Sequence, residues 1–477
     1  MALSEWEMVV GLEIHAQLKT KSKLFCADPT DFGGVANEHT SPVSLGLPGA
    51  LPVLNRGVLA FAVRAGLALN TKIDTSSVFS RKNYFYPDLS KGYQISQYDR
   101  PICYDGFVEF LLDDQKHRIR IERAHLEEDA GKSTHTADAT LVDYNRAGIP
   151  LLEIVSGPDM RSAREAAEYA RTVRAILQYA DVCDGNMEEG SLRCDCNVSV
   201  RRQGETELGT KVEIKNLNSF RFIEKALDYE FQRQIDTIEM GGTIVQETRL
   251  FDSTKNKTFS MRTKEDAEDY RYFPDPDLLP VKVDEAFIEK VRAALPELPL
   301  ARSERYQKEY GLSSAEADQL VADKSTADYF EGLLAGGAKA KAATSWIQSD
   351  LQRAMNEAGA EALTDDFYPL KDTLSLIRMV DSGEVSLKIA KKVFVESFET
   401  KKSPSEIVKQ QGLAQVSDEG AIEAVLDKIL AASPDQVEEY RAGKHKVMSF
   451  FIGQVMKEMR GQANPAVVTK LLKAKLQ

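Results

Sequence analysis

The chain is predicted to fold as an α+β protein. An N-terminal domain of antiparallel sheet and helices is followed by an all-helical domain and then a small helical tail domain. Three observations carry this. Short alternating or β-rich runs recur before residue 299 and stop there. Thirteen of the seventeen prolines lie at or before Pro299, and all five cysteines lie before residue 200. Beyond Pro299 the apolar residues fall at i, i+3, i+4 spacing. A length of 477 residues suggests about three domains.

In chain order, "WEMVVGLEIHAQL" reads as the first strand, and "HRIRIER", "CNVSVR" and "TKVEIKN" read as later ones. Turn signals such as "LGLPGALP" and "FPDPDLLP" punctuate them. Two helices interrupt the strands. "SAREAAEYARTVRAILQYA" has Asp159 and Ser162 as candidate caps, and "SFRFIEKALDYEFQRQIDTI" has the same apolar spacing. Regular βαβ alternation and a glycine fingerprint are both missing, which excludes a dinucleotide fold. After Pro299 come "SERYQKEYGL", "SAEADQLVADKSTADYFEGLL", "AATSWIQSDLQRAMNEAG", "PLKDTLSLIRMVDSG" and "SLKIAKKVFVESFET", all helical in period. "KKSPSE" breaks the series, and "GLAQVSDEGAIEAVLDKIL" begins the tail unit. The expected boundaries are 1–298, 299–408 and 409–477.

The chain is 43% hydrophobic and 28% charged, ordinary for a globular protein. No apolar run approaches the roughly 18 residues of a membrane span. The N-terminus does not read as a signal peptide. Five scattered cysteines fit a reduced, cytoplasmic chain rather than a disulfide framework. Net charge is −13, so contact with nucleic acid must be local. The last 37 residues carry eight Lys or Arg against one acid, a net +7, which leaves −20 elsewhere.

Several residues could carry chemistry. Glu13 and His15 share one face of the first strand with Ile14 opposite. They read either as a satisfied core pair or as a metal or catalytic pair. "HLEEDAGKST" ends like a P-loop, but position 126 is Leu where that motif needs glycine, so the phosphate cradle is excluded. On this stretch alone, Glu127, Glu128 and Asp129 read as a solvated charge run. "RKNYFYPDLSK" gathers Arg81, Lys82, Asn83, Tyr84, Tyr86, Asp88 and Lys91, cations and donors that suit an anion. Lys211, Glu213 and Lys215 share a strand face, and Asn216, Asn218 and Ser219 lead into a helix start, a favourable place for phosphate. Arg262, Arg271, Asp275 and Asp277 add charge downstream. Cys183, Cys194 and Cys196 lack a fourth ligand and read as structural thiols, with Asp195 a candidate metal carboxylate. Neither G-x-S-x-G nor H-E-x-x-H occurs. The residues point to a domain able to bind a nucleotide and Mg²⁺.

Together, "VGLEIHAQLKTKSKLF", "RKNYFYPDLSKGYQISQYDRPI", "HLEEDAGKS", "DYNRAGIPLLEIVSGPDMRS", "GTKVEIKNLNSF" and "YRYFPDPDLLPV" closely resemble the B-subunit family of the aspartyl/glutamyl-tRNA amidotransferases. The resemblance runs from about residue 9 to 281 and resumes in "FIGQVMKEMRGQANPAVVTKLL". It implies an ATP-dependent ligase that amidates Glu-tRNA(Gln) or Asp-tRNA(Asn). This chain would phosphorylate the aminoacyl carboxylate, and ammonia from an amidase partner, the A subunit, would displace the phosphate. A small third partner, the C subunit, would complete the complex. The runner-up is a non-catalytic tRNA-binding scaffold.

Carried over by position, the resemblance puts Glu13, His15, Glu128 and Glu213 at the metal centre, with Glu127 beside Glu128. It places Lys82 near the transferred phosphate or the mouth of an ammonia channel. Glu13, His15, Lys82 and Glu128 become the catalytic set. Arg81, Lys211, Lys215, Asn216 and Asn218 become the nucleotide set. The architecture implied is a catalytic cradle, a helical domain and a tail that grips tRNA. Some family members carry two cysteine pairs near the N-terminus that look zinc-binding. Here Cys26 is accompanied by Asp28, Ser41 and Ser44, so no zinc is expected, and metal analysis should find well under one zinc per chain.

Overall fold

The computed structural model describes residues 5–263, 270–360, 362–414, 419–459 and 463–476. Two compact units divide the chain, Met1–Arg302 and Ser303–Gln477.

The first unit is built on sixteen strands among the described residues. They are β1 (Trp6–Gln17), β2 (Lys72–Ile73), β3 (Ser76–Ser77), β4 (Ser80–Asn83), β5 (Tyr93–Ser96), β6 (Cys103–Leu112), β7 (Gln115–Glu128) and β8 (Lys132–His135). Then follow β9 (Thr140–Asp143), β10 (Pro150–Ser156), β11 (Leu192–Arg202), β12 (Val212–Lys215), β13 (Glu247–Asp252), β14 (Lys257–Thr263), β15 (Phe273–Pro274) and β16 (Val281–Lys282). Twelve of them form one sheet in the order β14-β13-β12-β11-β1-β10-β7-β5-β4-β15, with β6 also pairing β7 and β2 pairing β6. Every pairing in it is antiparallel except β12 with β13. The β6–β7 hairpin turns on Asp113 and Asp114, both at positive φ, as a two-residue hairpin loop requires.

Four helices accompany the sheet: α1 (Arg56–Ala68), α2 (Ala163–Tyr179), α3 (Phe220–Glu239) and α4 (Glu285–Ala293). Ser162 caps α2 by accepting from the Glu165 N–H, whereas Asp159 instead holds Arg120. β1 lies in mid-sheet, and its two faces differ. Leu12, Ile14 and Ala16 face a core shared with Ala62 and Val63 of α1 and Ala166 and Ala170 of α2. Glu13, His15 and Gln17 face the other way, as the two-residue period demands.

Every helix or strand that forms in the second unit's described residues is a helix. "SAEADQLVADKSTADYFEGLL" forms two helices, Ser314–Val321 and Lys324–Ala335. The break comes at Asp323, whose side chain accepts from the Thr326 N–H and starts the second helix afresh. A π-helical turn, Ile347–Leu351, interrupts the helical stretch around Trp346. One apolar cluster centres on Tyr306, Phe330, Leu376 and Phe394. A separate one gathers Ile422, Leu426, Phe451, Val455, Val468 and Leu472. No helix among the described residues is long and apolar enough to cross a membrane.

Candidate active site

The polar face of the large sheet opens into a cavity of about 1070 Å³. Register explains its lining. His125 of β7 lies opposite Glu153 of β10, Glu153 opposite His15 of β1, and His15 opposite Arg193 of β11. Directly opposed residues stand about 4.5–5.5 Å apart at Cβ. Four adjacent strands therefore lay one polar row across the sheet. Glu13 opposite Asp195, and Asn197 opposite Glu213, extend the polar face.

Around that row, with Glu127 two residues beyond His125 on β7, His15 Nε2 lies 3.3 Å from Glu153 and 4.0 Å from Glu127, and His125 Nε2 lies 3.7 Å from Glu127 and 3.8 Å from Glu153. His15, Glu127 and Glu153 present ligand atoms all within 4.8 Å of one another, a spacing that suits one cation. The carboxylate oxygens suit a hard ion such as Mg²⁺, and the imidazole widens the choice. Burial alone would raise the Glu153 pKa, but His125 and His15 hold it well below the usual carboxylate range. Burial would lower His15, but its hydrogen bond and charge pairing with Glu153 raise it instead. Glu13 is raised by burial and by its neighbours Glu153 and Glu213. Among the described residues, the Nδ1 of the buried His125 has no hydrogen-bond partner.

Cations also line the cavity. Lys215 bonds Asp195 at 2.5 Å and Glu213 at 3.0 Å, and these acids outweigh burial to keep it charged. Lys82 differs. Among the described residues no carboxylate pairs with it. Its ammonium lies 4.7 Å from the centre of the Tyr270 ring and 5.8 Å from that of Tyr84. A cation held by rings, not acids, keeps its charge available to an anion. Arg193 bonds Asp129 at 2.9 Å, and Arg146 and Gln17 join it there. Burial opposes ionisation of Asp129, yet Arg193 and Arg146 hold its pKa below the ordinary value.

Of the residues singled out in the sequence, Glu13, His15, Lys82, Lys211, Glu213, Lys215 and Asn216 line the cavity. Asn218 does not, and its amide turns to Asn216. Arg81 does not either. It neighbours Lys82 on β4 and so faces the other way, where it bonds Asp275 and Asp277 and lies over Tyr93. The solvated charge run is the main correction. Glu127, Glu128 and Asp129 are not solvated, being only 4–5% exposed. Glu127 and Asp129 line the cavity, but Glu128 shares the parity of Leu126 and leaves it. Both its carboxylate oxygens lie 2.7 Å from Lys91 Nζ. Removing one member of a buried pair strands the other. Glu128→Ala should therefore cost about 3–5 kcal/mol in stability, measured by chemical denaturation. A loss near zero would mean that Lys91 finds water.

Glu153, His125 and Arg193 do not stand out in the sequence as site residues. Glu153 has a signal there: "LLEIVS" interrupts an apolar strand with one acid, as "GLEIH" does. Arg262 is outside the residues with described side chains. Cys194 and Cys196 turn to the core as free thiols, and Asp195 between them lines the cavity. Around Cys26, Ser44 Oγ donates to Asp28 at 2.6 Å and accepts from the Ser41 N–H at 2.9 Å. Burial pushes the Cys26 thiol up to about 11.

Comparisons with known proteins identify the family. A family profile described as "GatB/GatE catalytic domain" matches residues 8–289, and one described as "GatB domain" matches residues 328–476. The B subunit of the aspartyl/glutamyl-tRNA(Asn/Gln) amidotransferase of Bdellovibrio bacteriovorus is 53% identical over 478 residues, covering 100% of both chains. The proteins of that name from Anaeromyxobacter dehalogenans and Geobacter sulfurreducens are 56% and 53% identical, covering 100% and 99% of each chain. With its catalytic-domain match and end-to-end similarity to these relatives, the chain belongs to the GatB/GatE family, among the B subunits of the tRNA-dependent amidotransferases.

Proposed function

We propose that this chain performs the kinase step of tRNA-dependent amidation. It activates the side-chain carboxylate of Glu-tRNA(Gln), Asp-tRNA(Asn) or both, using ATP. A carboxylate oxygen attacks the γ-phosphorus and ADP leaves. Ammonia then attacks the acyl carbon, phosphate departs, and the nitrogen gives up a proton to form the amide. The ammonia comes from the partner amidase, the A subunit, in a cytoplasmic complex completed by the small C subunit. The observation that supports the reading is the cluster of His15, Glu127 and Glu153 in a cavity shared with Lys82, which no carboxylate pairs within salt-bridge distance among the described residues.

His15, Glu127 and Glu153 would hold the Mg²⁺, which when bound offsets the negative charge of the phosphates. Lys82 faces the same cavity and stabilises charge that develops on the transferred phosphoryl group. Lys211, Lys215 and Asn216 offer a cationic edge to the nucleotide. Glu13 and Glu213 sit beside them as further carboxylates. The deciding assay is single-turnover ATP cleavage by the assembled amidotransferase. Cleavage should require charged tRNA and precede amide formation. Cleavage without tRNA, or amide formation without cleavage, would overturn the assignment.

The tail, residues 409–477, is proposed to hold tRNA through phosphates, given its net +7 end. Deleting it should raise KM for aminoacyl-tRNA at least tenfold and spare the partner's glutaminase activity. A fall in glutaminase activity alone would count against this role.

A further inference from the structure

A ladder of tyrosines leads out of the cavity. Tyr84 and Tyr270 line it, with ring centroids 5.9 Å apart. Tyr270 meets Tyr272 edge-on at 6.1 Å. Tyr272 then lies parallel to Tyr98, 4.1 Å away with 7° between the planes. Burial raises the pKa of Tyr84 and of Tyr272, so both hydroxyls stay neutral. Tyr98 ends the ladder and is 54% exposed. Among the described residues neither the Tyr98 nor the Tyr272 hydroxyl is hydrogen bonded, so the pair is held by its faces.

Two strand ends create the stack. Tyr98 follows β5 by two residues, and Tyr272 precedes β15, which pairs β4 beside β5. The inner ring, Tyr272, is half-buried and the outer ring, Tyr98, is the more exposed of the two. A parallel aromatic pair accepts one more flat ring at little ordering cost, because neither ring need move. Bases stack on such rings whatever their sequence, since every base has a π face.

We propose that Tyr98, backed by Tyr272, is the stacking platform for the terminal purine of the tRNA acceptor end. This rests on the reading that the amino acid on that end is activated in the cavity. A single strand must then pass the cavity mouth with its bases unpaired. The ladder supplies a π surface from the exposed ring to the cavity wall. Tyr98 is a binding residue and touches no reacting atom.

The test uses the assembled amidotransferase and tRNA carrying 2-aminopurine at its 3′-terminal position. Stacking quenches this base, and quenching needs no chemistry. Binding to wild type and to Tyr98→Phe should quench it, while Tyr98→Ala should leave it bright. KM for aminoacyl-tRNA should rise about tenfold in Tyr98→Ala, on the scale of one base–aromatic stack, with KM for ATP unchanged. If Tyr98→Ala fails to fold, Tyr98→Leu keeps apolar bulk without a π face and carries the same expectation. Equal quenching in the alanine or leucine variant overturns the proposal. So does a rise in KM for ATP alone, which would make the nucleotide's own adenine the occupant. If the kinase step proves to lie elsewhere but quenching still depends on Tyr98, the platform stands and the proposed activity falls.

Discussion

Glu153→Gln should lower the rate of tRNA-dependent ATP cleavage about 1,000-fold, or about 4 kcal/mol, with the partner's glutaminase activity intact. The substitution is nearly isosteric, so Leu152 and Ile154 keep their core contacts. It removes the charge on which the row depends. Both His15 and His125 approach this carboxylate, and they keep it ionised against burial. The amide would present a weaker acceptor, without charge, to the cation and to both imidazoles. Titration with Mn²⁺ gives a readout independent of turnover: binding in this row should weaken at least tenfold in the variant. If Glu153→Gln binds Mn²⁺ and cleaves ATP as wild type does, the row is a core hydrogen-bond network and the cation site lies elsewhere.

Lys82→Met should cut the ATP-cleavage rate by about 100- to 1,000-fold while leaving Mn²⁺ binding unchanged. Methionine keeps an unbranched apolar stem against Tyr270 and Tyr84 and removes only the ammonium. The choice of readout separates two roles. If Lys82 stabilises the phosphoryl group, cleavage itself fails, and added ammonium does not restore it. If Lys82 instead guards the entry of ammonia, cleavage proceeds and high ammonium rescues the amide. The second outcome would move Lys82 out of the kinase step.

Much of this site follows from local period alone. Glu13 and His15 stand two residues apart in an apolar run, and a strand must put them together. The same rule places Lys211, Glu213 and Lys215 on one face. Parity is ambiguous where the phase of a strand is set from outside it. Glu127 and Glu128 are the same residue type side by side, and only pairing with β10 shows that the first faces the cavity and the second the core. Arg81 and Lys82 raise the same ambiguity, resolved by Asp275 and Asp277 from almost two hundred residues away. No local window holds that information. Glu153 is legible in principle, as a lone acid in "LLEIVS", but its value depends on lying opposite both His15 and His125. In the second unit, apolar spacing locates the helical stretches. It misses the break at Asp323, because a capping aspartate inside a periodic run resembles any other polar position.

The two-sided first strand also governs which changes in chain length can survive. A substitution in β1 alters one face at a time. An inserted or deleted residue near Leu12 would send every later side chain to the opposite side. Glu13 or His15 would then meet Ala166 and Val63, and Ile14 would look into the cavity. No single compensating substitution repairs that. Diversity in chain length should therefore collect in the connections, such as the "DFGGVANEH" segment, and be absent from the strands. A library of single-residue deletions, selected for growth on the complex, would show a sharp gap over Trp6–Gln17, Pro150–Ser156 and Leu192–Arg202.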